Sequence, residues 1–159
     1  YGMTESGIWV PIKVTDEGDQ KVQLSGTMEE ILPRQVRSAT TSFYNIYVPN
    51  WARGMMAQVY VEGVTGTFDT GEGLALHMGP RTWGESFSYG DIETDKIVGR
   101  GLLTIILYPG ANIGDLQVVD YTKISGLPLG NTLFYRLIID GTFNQGEGFD
   151  CRMDIKWLP

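Results

Sequence analysis

The sequence predicts an all-β protein: an antiparallel β-sandwich, jelly-roll-like, with an extended N-terminal arm. Three observations carry that expectation. The stretch Phe149-Asp150-Cys151-Arg152-Met153-Asp154-Ile155-Lys156-Trp157 alternates apolar and charged residues without a break, which gives a strand one dry face and one wet face. The 159 residues include 21 glycines and seven prolines, and turn signals recur at the roughly 8–12-residue spacing of sandwiches and barrels. No long helical period competes with this pattern. A single amphipathic strand cannot bury its dry face alone, so a second layer must cover it.

Apolar residues make up 42% of the chain and charged residues 19%, a globular balance in a length suited to one domain. The net charge is −7, from 12 basic and 19 acidic residues. That is the wrong sign for a nucleic-acid footprint, and it suits solubility. No apolar run is long enough to cross a membrane as a helix. The opening residues lack the basic-then-apolar pattern of a signal peptide. Cys151 is the one cysteine, so no intrachain disulfide is possible. Its place on the apolar side of the last strand reads as a small buried hydrophobe.

Residues 1–38 read as the arm and residues 39–159 as the sandwich domain. Within the arm, Ile8, Val10, Ile12 and Val14 alternate on one side of a strand, with Pro11 marking an edge. Asp16-Glu17-Gly18-Asp19 turns the chain into Lys21–Leu24, making a hairpin. Thr27 and Glu30 have the spacing of a capping box, so a short helical turn is expected over 27–32, stopped by Pro33. The polar run from Arg34 to Ser42 reads as a linker.

The sandwich strands then follow in order. Phe43–Val48 is rich in aromatic and branched residues. Met55–Glu62 places Met55, Ala57, Val59 and Val61 inward. Leu74–Met78 does the same with Leu74, Leu76 and Met78. A glycine-rich polar region over 79–101 holds a short strand at Ser86–Tyr89. Leu102–Tyr108 is apolar on both sides, which predicts a strand covered on both faces. Leu116–Tyr121 is another strand. Thr132–Asp140 points Leu133, Tyr135, Leu137 and Ile139 inward and Arg136 outward. Gly141–Gly148 is the hairpin loop into the last strand. Neighbours joined by short loops are expected to be antiparallel. No repeat of 20–50 residues is evident.

Chemistry-bearing residues are few. Asp69-Thr70-Gly71 matches the aspartic-protease triplet, but that reaction needs two such aspartates sharing a proton, and the triplet sits in a glycine-rich turn. Asp91, Glu93 and Asp95 fall on one side of an extended chain and offer oxygen ligands for calcium, without the loop spacing of an EF-hand; a solvated loop is the simpler reading. His77 is the one histidine and faces away from Leu76 and Met78; no nucleophile-elbow sequence accompanies it. One histidine and one cysteine are too few for the usual zinc sets. The expectation is therefore no enzyme, no cofactor and no metal. Trp51, Trp83, Tyr89 and Tyr108 lie at or near turns, where aromatics cap a sandwich or make surface contacts.

Several stretches together resemble small β-rich virion proteins of tailed bacteriophages, of the capsid-decoration or head-fibre kind. They are Trp9–Val14, Arg37–Ser42, Asn50–Gly54 leading into Val59–Gly66, Leu107–Gly110, and Leu127-Pro128 ahead of Phe134-Tyr135-Arg136. The resemblance implies a non-enzymatic sandwich made in the host cytoplasm and seated on the capsid surface. It also implies binding to the major capsid protein, often as a trimer, with a terminal arm gripping the shell or a neighbour. On that reading Trp9, Ile12, Arg34 and Arg37 are the interface candidates, combining apolar anchors with guanidinium forks. Trp51 and Trp83 are candidates for further surface contacts. The rival expectation is a carbohydrate- or receptor-binding β-sandwich of a phage tail or fibre. Neither nucleic acid nor membrane is expected as a partner.

Overall fold

The computed structural model describes residues 28–82, 87–88, 90–111 and 121–159. These contain ten strands and no helix. The strands are β1 (Glu29–Arg37), β2 (Tyr44–Tyr47), β3 (Gly54–Thr65), β4 (Gly73–Thr82), β5 (Phe87–Ser88), β6 (Ile92–Glu93), β7 (Gly101–Leu107), β8 (Thr122–Ser125), β9 (Thr132–Asp140) and β10 (Gly148–Leu158). The first sheet runs β1-β10-β3-β7-β8 and the second β2-β9-β4-β5, with β6 also on β4. The two sheets share one core.

Alternation builds that core as expected. Met55, Ala57, Val59 and Val61 of β3 and Phe149, Met153 and Ile155 of β10 are fully buried, with Cys151 nearly so. Leu74, Leu76 and Met78 of β4 and Leu133 and Leu137 of β9 meet them from the other sheet. Each such side chain contributes roughly 1.5–3 kcal/mol relative to exposure. Trp157 closes the end of the pattern half-buried.

Pairing is nested: β1 lies on β10, β2 on β9, β3 on β7 and β4 on β5, all antiparallel. Two short connections, β3–β4 and β9–β10, arch from one sheet to the other at one end, so the loop over 141–148, expected to close a hairpin, instead joins strands that do not pair. The opposite end carries the start of β1, the end of β10 and the β2–β3 connection, since Glu29 lies opposite Ile155 and Gly54 opposite Leu158.

Four expectations change. The helical turn over 27–32 and the linker from Arg34 give way to β1, an edge strand of the first sheet. Its register shifts between Glu30 and Leu32 and again between Leu32 and Gln35. The second bulge absorbs Pro33, which lacks a donor for a regular ladder. The charged outward residues are those an edge strand tolerates, so the segment looks like a linker in sequence. Second, β7 is fully covered on one face and partly on the other: Leu103, Ile105 and Leu107 are buried, and on the outer face Thr104 is buried, Ile106 half-buried and Leu102 exposed. Third, β7 and β8 are parallel, which residues 108–121 permit because they are long enough for a crossover. Fourth, β8 itself lies beyond the expected Leu116–Tyr121 strand, of which residues 116–120 are outside the described residues. The expected hairpin of the arm, over residues 8–24, is also outside them.

Candidate functional site

The outer face of the second sheet departs from the dry-in, wet-out rule. Phe134 and Arg136 on β9 and His77, Gly79 and Arg81 on β4 occupy the positions that alternate with the core. Phe134 is fully buried there and His77 nearly so. The cover comes in part from Phe43, just before β2, whose ring meets those of Phe134 at 5.6 Å and His77 at 6.0 Å. Arg81 lies over the Phe134 ring, 4.0 Å from its centroid, and Arg136 over the Phe43 ring at 4.3 Å. Gly79 lets the β6 side approach: a Cβ there would stand 2.4 Å from the Gly90 carbonyl oxygen and 2.7 Å from Phe134.

His77 joins this layer to the loop before β6. Arg136 Nε–H donates to His77 Nδ1 at 3.1 Å. An accepting Nδ1 fixes the neutral tautomer with its hydrogen on Nε2, and Nε2 lies 3.2 Å from Asp91 Oδ2. The histidine thus faces away from the core, as alternation predicts, but is covered.

Beside this layer runs β2, with which no second strand pairs among the described residues. β2 reads Tyr-Asn-Ile-Tyr, with no charge and no proline. Tyr47 is 83% exposed and Trp51, in the following connection, 60%. Val48 N–H donates to the Asn131 carbonyl. By the alternation of an antiparallel ladder, Asn45 and Tyr47 then turn their backbone groups to the open side. β1, the corresponding edge of the first sheet, is protected by bulges, Pro33 and charges.

The two described arginines named from the arm behave differently. Arg34 forms a two-pronged pair with Asp150, at 2.9 and 2.8 Å, on the surface. That hydrogen bond, with the Asp150 charge, raises the guanidinium further, and the same bond and the Arg34 charge hold the Asp150 carboxyl below its ordinary value. Arg37 turns inward and is buried, donating to the carbonyls of Cys151 and Pro33, each at 2.9 Å. Its fork is spent inside the fold. Trp9, Ile12 and Trp83 lie outside the described residues.

The remaining groups do not converge. Asp69 is in the exposed β3–β4 connection, where its backbone N–H donates to the Glu72 carboxylate at 2.9 Å. The β9–β10 connection repeats that turn: Gly66-Thr67-Phe68-Asp69-Thr70-Gly71-Glu72-Gly73 matches Gly141-Thr142-Phe143-Asn144-Gln145-Gly146-Glu147-Gly148. Asn144 N–H likewise donates to Glu147 at 2.9 Å, and Thr67 and Thr142 exchange backbone hydrogen bonds at 3.0 and 2.9 Å. The residue equivalent to Asp69 is therefore Asn144, which supplies no second carboxylate. Asp91 serves His77, and Asp95 pairs with Lys123 at 3.6 Å. Among the described residues no group of three or more metal-ligating side chains forms. Burial raises the Cys151 thiol, as suits a core residue.

Sequence reading missed the layer around Arg136 and the octapeptide repeat. The first has one local signal, a phenylalanine at an outward position next to an outward arginine. The second is visible by eye once the period is allowed to be long. Set against protein families, curated proteins and solved structures, the chain matches none.

Proposed function

We propose that this chain is a virion structural protein without catalytic activity, a capsid-decoration protein that binds the major capsid protein as a homotrimer and stabilises the shell. Supporting the architecture is the nested pairing of first strand with last, second with ninth and third with seventh. Such nesting suits a jelly roll, an arrangement found in viral shells. The observation that carries the adhesive role is the uncharged edge strand β2 with Tyr47 standing 83% exposed beside Trp51. A bare edge bearing tyrosine and tryptophan is a surface suited to a partner. The start of β1, Glu29, lies at the same end of the sandwich as Tyr47 and Trp51.

Pelleting with empty shells of the capsid encoded in the same genome tests this reading. The full chain is expected to sediment with the shells, and a chain lacking residues 1–27 to stay in the supernatant. A full chain that never sediments with them would reject the decoration role.

The exposed indole of Trp51 also suits a sugar ring, the basis of a second reading as a glycan- or receptor-binding tail module. That reading expects glycan-array binding that falls at least about tenfold with Trp51→Ala, since a lost stacking contact of about 1.4 kcal/mol is a tenfold change. A blank array argues against it.

A further inference from the structure

Arg136 is held in place by the fold without being neutralised by it. Three of the other surface arginines have carboxylate partners: Arg34 has Asp150, Arg100 has Glu62, and Arg152 has Asp154 and Glu30, while the exposed Arg53 lies over the Tyr108 ring, 5.7 Å from its centroid. Arg136 has none within ion-pair distance among the described residues. Its Nε is bound to His77 and its plane lies on Phe43. Its two Nη nitrogens have no hydrogen-bond partner there, and neither is a buried unpaired atom.

The support behind the guanidinium is layered. Asp91 orients His77 through Nε2, and His77 orients Arg136 through Nδ1. Phe43 and Phe134 pack edge-on against the imidazole. A carboxylate fixing a histidine that fixes the binding group is the logic by which outer groups orient metal-binding histidines. Here it aims a fork of donors outward. Phe43, 47% exposed, and Tyr47 share this face, because Asn45 stands opposite Phe134 and Tyr47 opposite Thr132. Arginine, tyrosine and a second aromatic are the usual anchors of protein interfaces.

We propose that Arg136 is the anchor of a carboxylate-binding site on the outer face of the second sheet, which takes an Asp or Glu side chain of a protein partner. Phe43 and Tyr47 cover the apolar groups that flank the bound carboxylate. The proposal rests on the reading of the chain as an adhesive module. A guanidinium fork matches a carboxylate with two parallel hydrogen bonds. A singly charged ligand is favoured over a phosphate dianion or a nucleic-acid backbone. Asp91 and Glu93, the latter opposite His77 in register, place negative charge nearby, and the chain carries −7 overall.

His77 is a positioning residue in this site. It acts by accepting the Arg136 Nε–H at Nδ1, which leaves both Nη nitrogens to the ligand.

The test is an NMR titration of the ¹⁵N-labelled full chain with N-acetyl-glutamate α-amide, following the arginine Nε–H signals. The Arg136 signal is expected to shift and saturate in the millimolar range, while that of Arg34, already paired with Asp150, stays still. His77→Phe should weaken binding and move the Arg136 Nε–H signal of the unliganded chain, because that N–H loses its acceptor; Arg136→Gln should abolish saturation. Thermal melts of both variants confirm that they are folded, and Arg136→Lys, which keeps the charge but not the fork, should bind more weakly than the native chain. An unsaturable shift, an equal shift at Arg34 and Arg136, or an Arg136 signal and affinity unmoved by His77→Phe overturns the site. Shell pelleting with no saturable shift rejects this site while leaving the adhesive reading intact; a saturable shift without pelleting keeps the site and rejects the shell as the partner.

Discussion

Arg34 and Arg37 stand three residues apart on β1 and spend their charge in opposite ways. Arg37 is buried and donates to two backbone carbonyls, those of Cys151 and Pro33. Arg34 lies on the surface and pairs with Asp150. Hydrogen bonding to Arg34, opposed by partial desolvation, leaves the Asp150 carboxyl below its ordinary value of 3.8. A carboxyl depressed in the folded state adds stability above the unfolded value and loses it as pH falls through the folded one. Asp150→Asn is therefore expected to lower Tm slightly at neutral pH, the exposed pair being screened by solvent. The difference should close in acid below about pH 3.8, once the native carboxyl has also been protonated. Melts across that range check it, and a Tm gap that widens in acid would contradict the pairing.

At the scale of elements, the twin connections between the sheets are the clearest case of one local solution used twice. Gly71 and Gly146 have φ of 88° and 85°, at matching places in the repeated octet. No neighbouring atom would obstruct a Cβ at either position, so alanine there meets only backbone strain. Gly71→Ala and Gly146→Ala are expected to cost about 1–2 kcal/mol each, nearly equally. Urea unfolding measures both, and a large inequality would break the equivalence of the two turns. How much was legible follows from the same physics. Strands β3, β4, β9 and β10 were readable because each alternates for several residues between strong turn signals, and their inward faces are buried as expected. β1 was not, because a bulge around Pro33 interrupts the period and an edge strand carries charges on its open side. β8 is too short to announce itself. For the site, His77 was rightly placed off the core face and Arg136 outward. The chain Asp91–His77–Arg136 joins β4, β9 and the loop before β6 across the sheet, and no local window contains it. Nested pairing was equally hidden, since β1 meets β10 from the far end of the sequence.

That nesting governs the whole molecule. Because β1 closes the edge of β10, the integrity of the last strand depends on residues near the start of the chain. Leu32 packs into the shared core opposite Met153, and Arg37 caps the Cys151 carbonyl. The arm boundary expected at residue 38 therefore cuts through the sandwich, and a truncation there is a different experiment from one at residue 27. Removing residues 1–27 leaves every described strand in place. Removing 1–38 bares the backbone edge of β10 and uncovers its apolar face beside Cys151 and Met153. The lost burial of Leu32 amounts to roughly 1.5–3 kcal/mol, and the charged hydrogen bonds of Arg37 to about 1.5–3 kcal/mol each. Together these approach the whole stability of an ordinary domain, about 5–15 kcal/mol. A long unprotected edge also invites chain-to-chain pairing. The shorter truncation is expected to keep a cooperative melt and native near-ultraviolet dichroism, and the longer one to aggregate or melt without cooperativity. Equal melting temperatures for the two would mean that β1 is a passenger on the sheet, and the dependence of the last strand on the first would have to be given up.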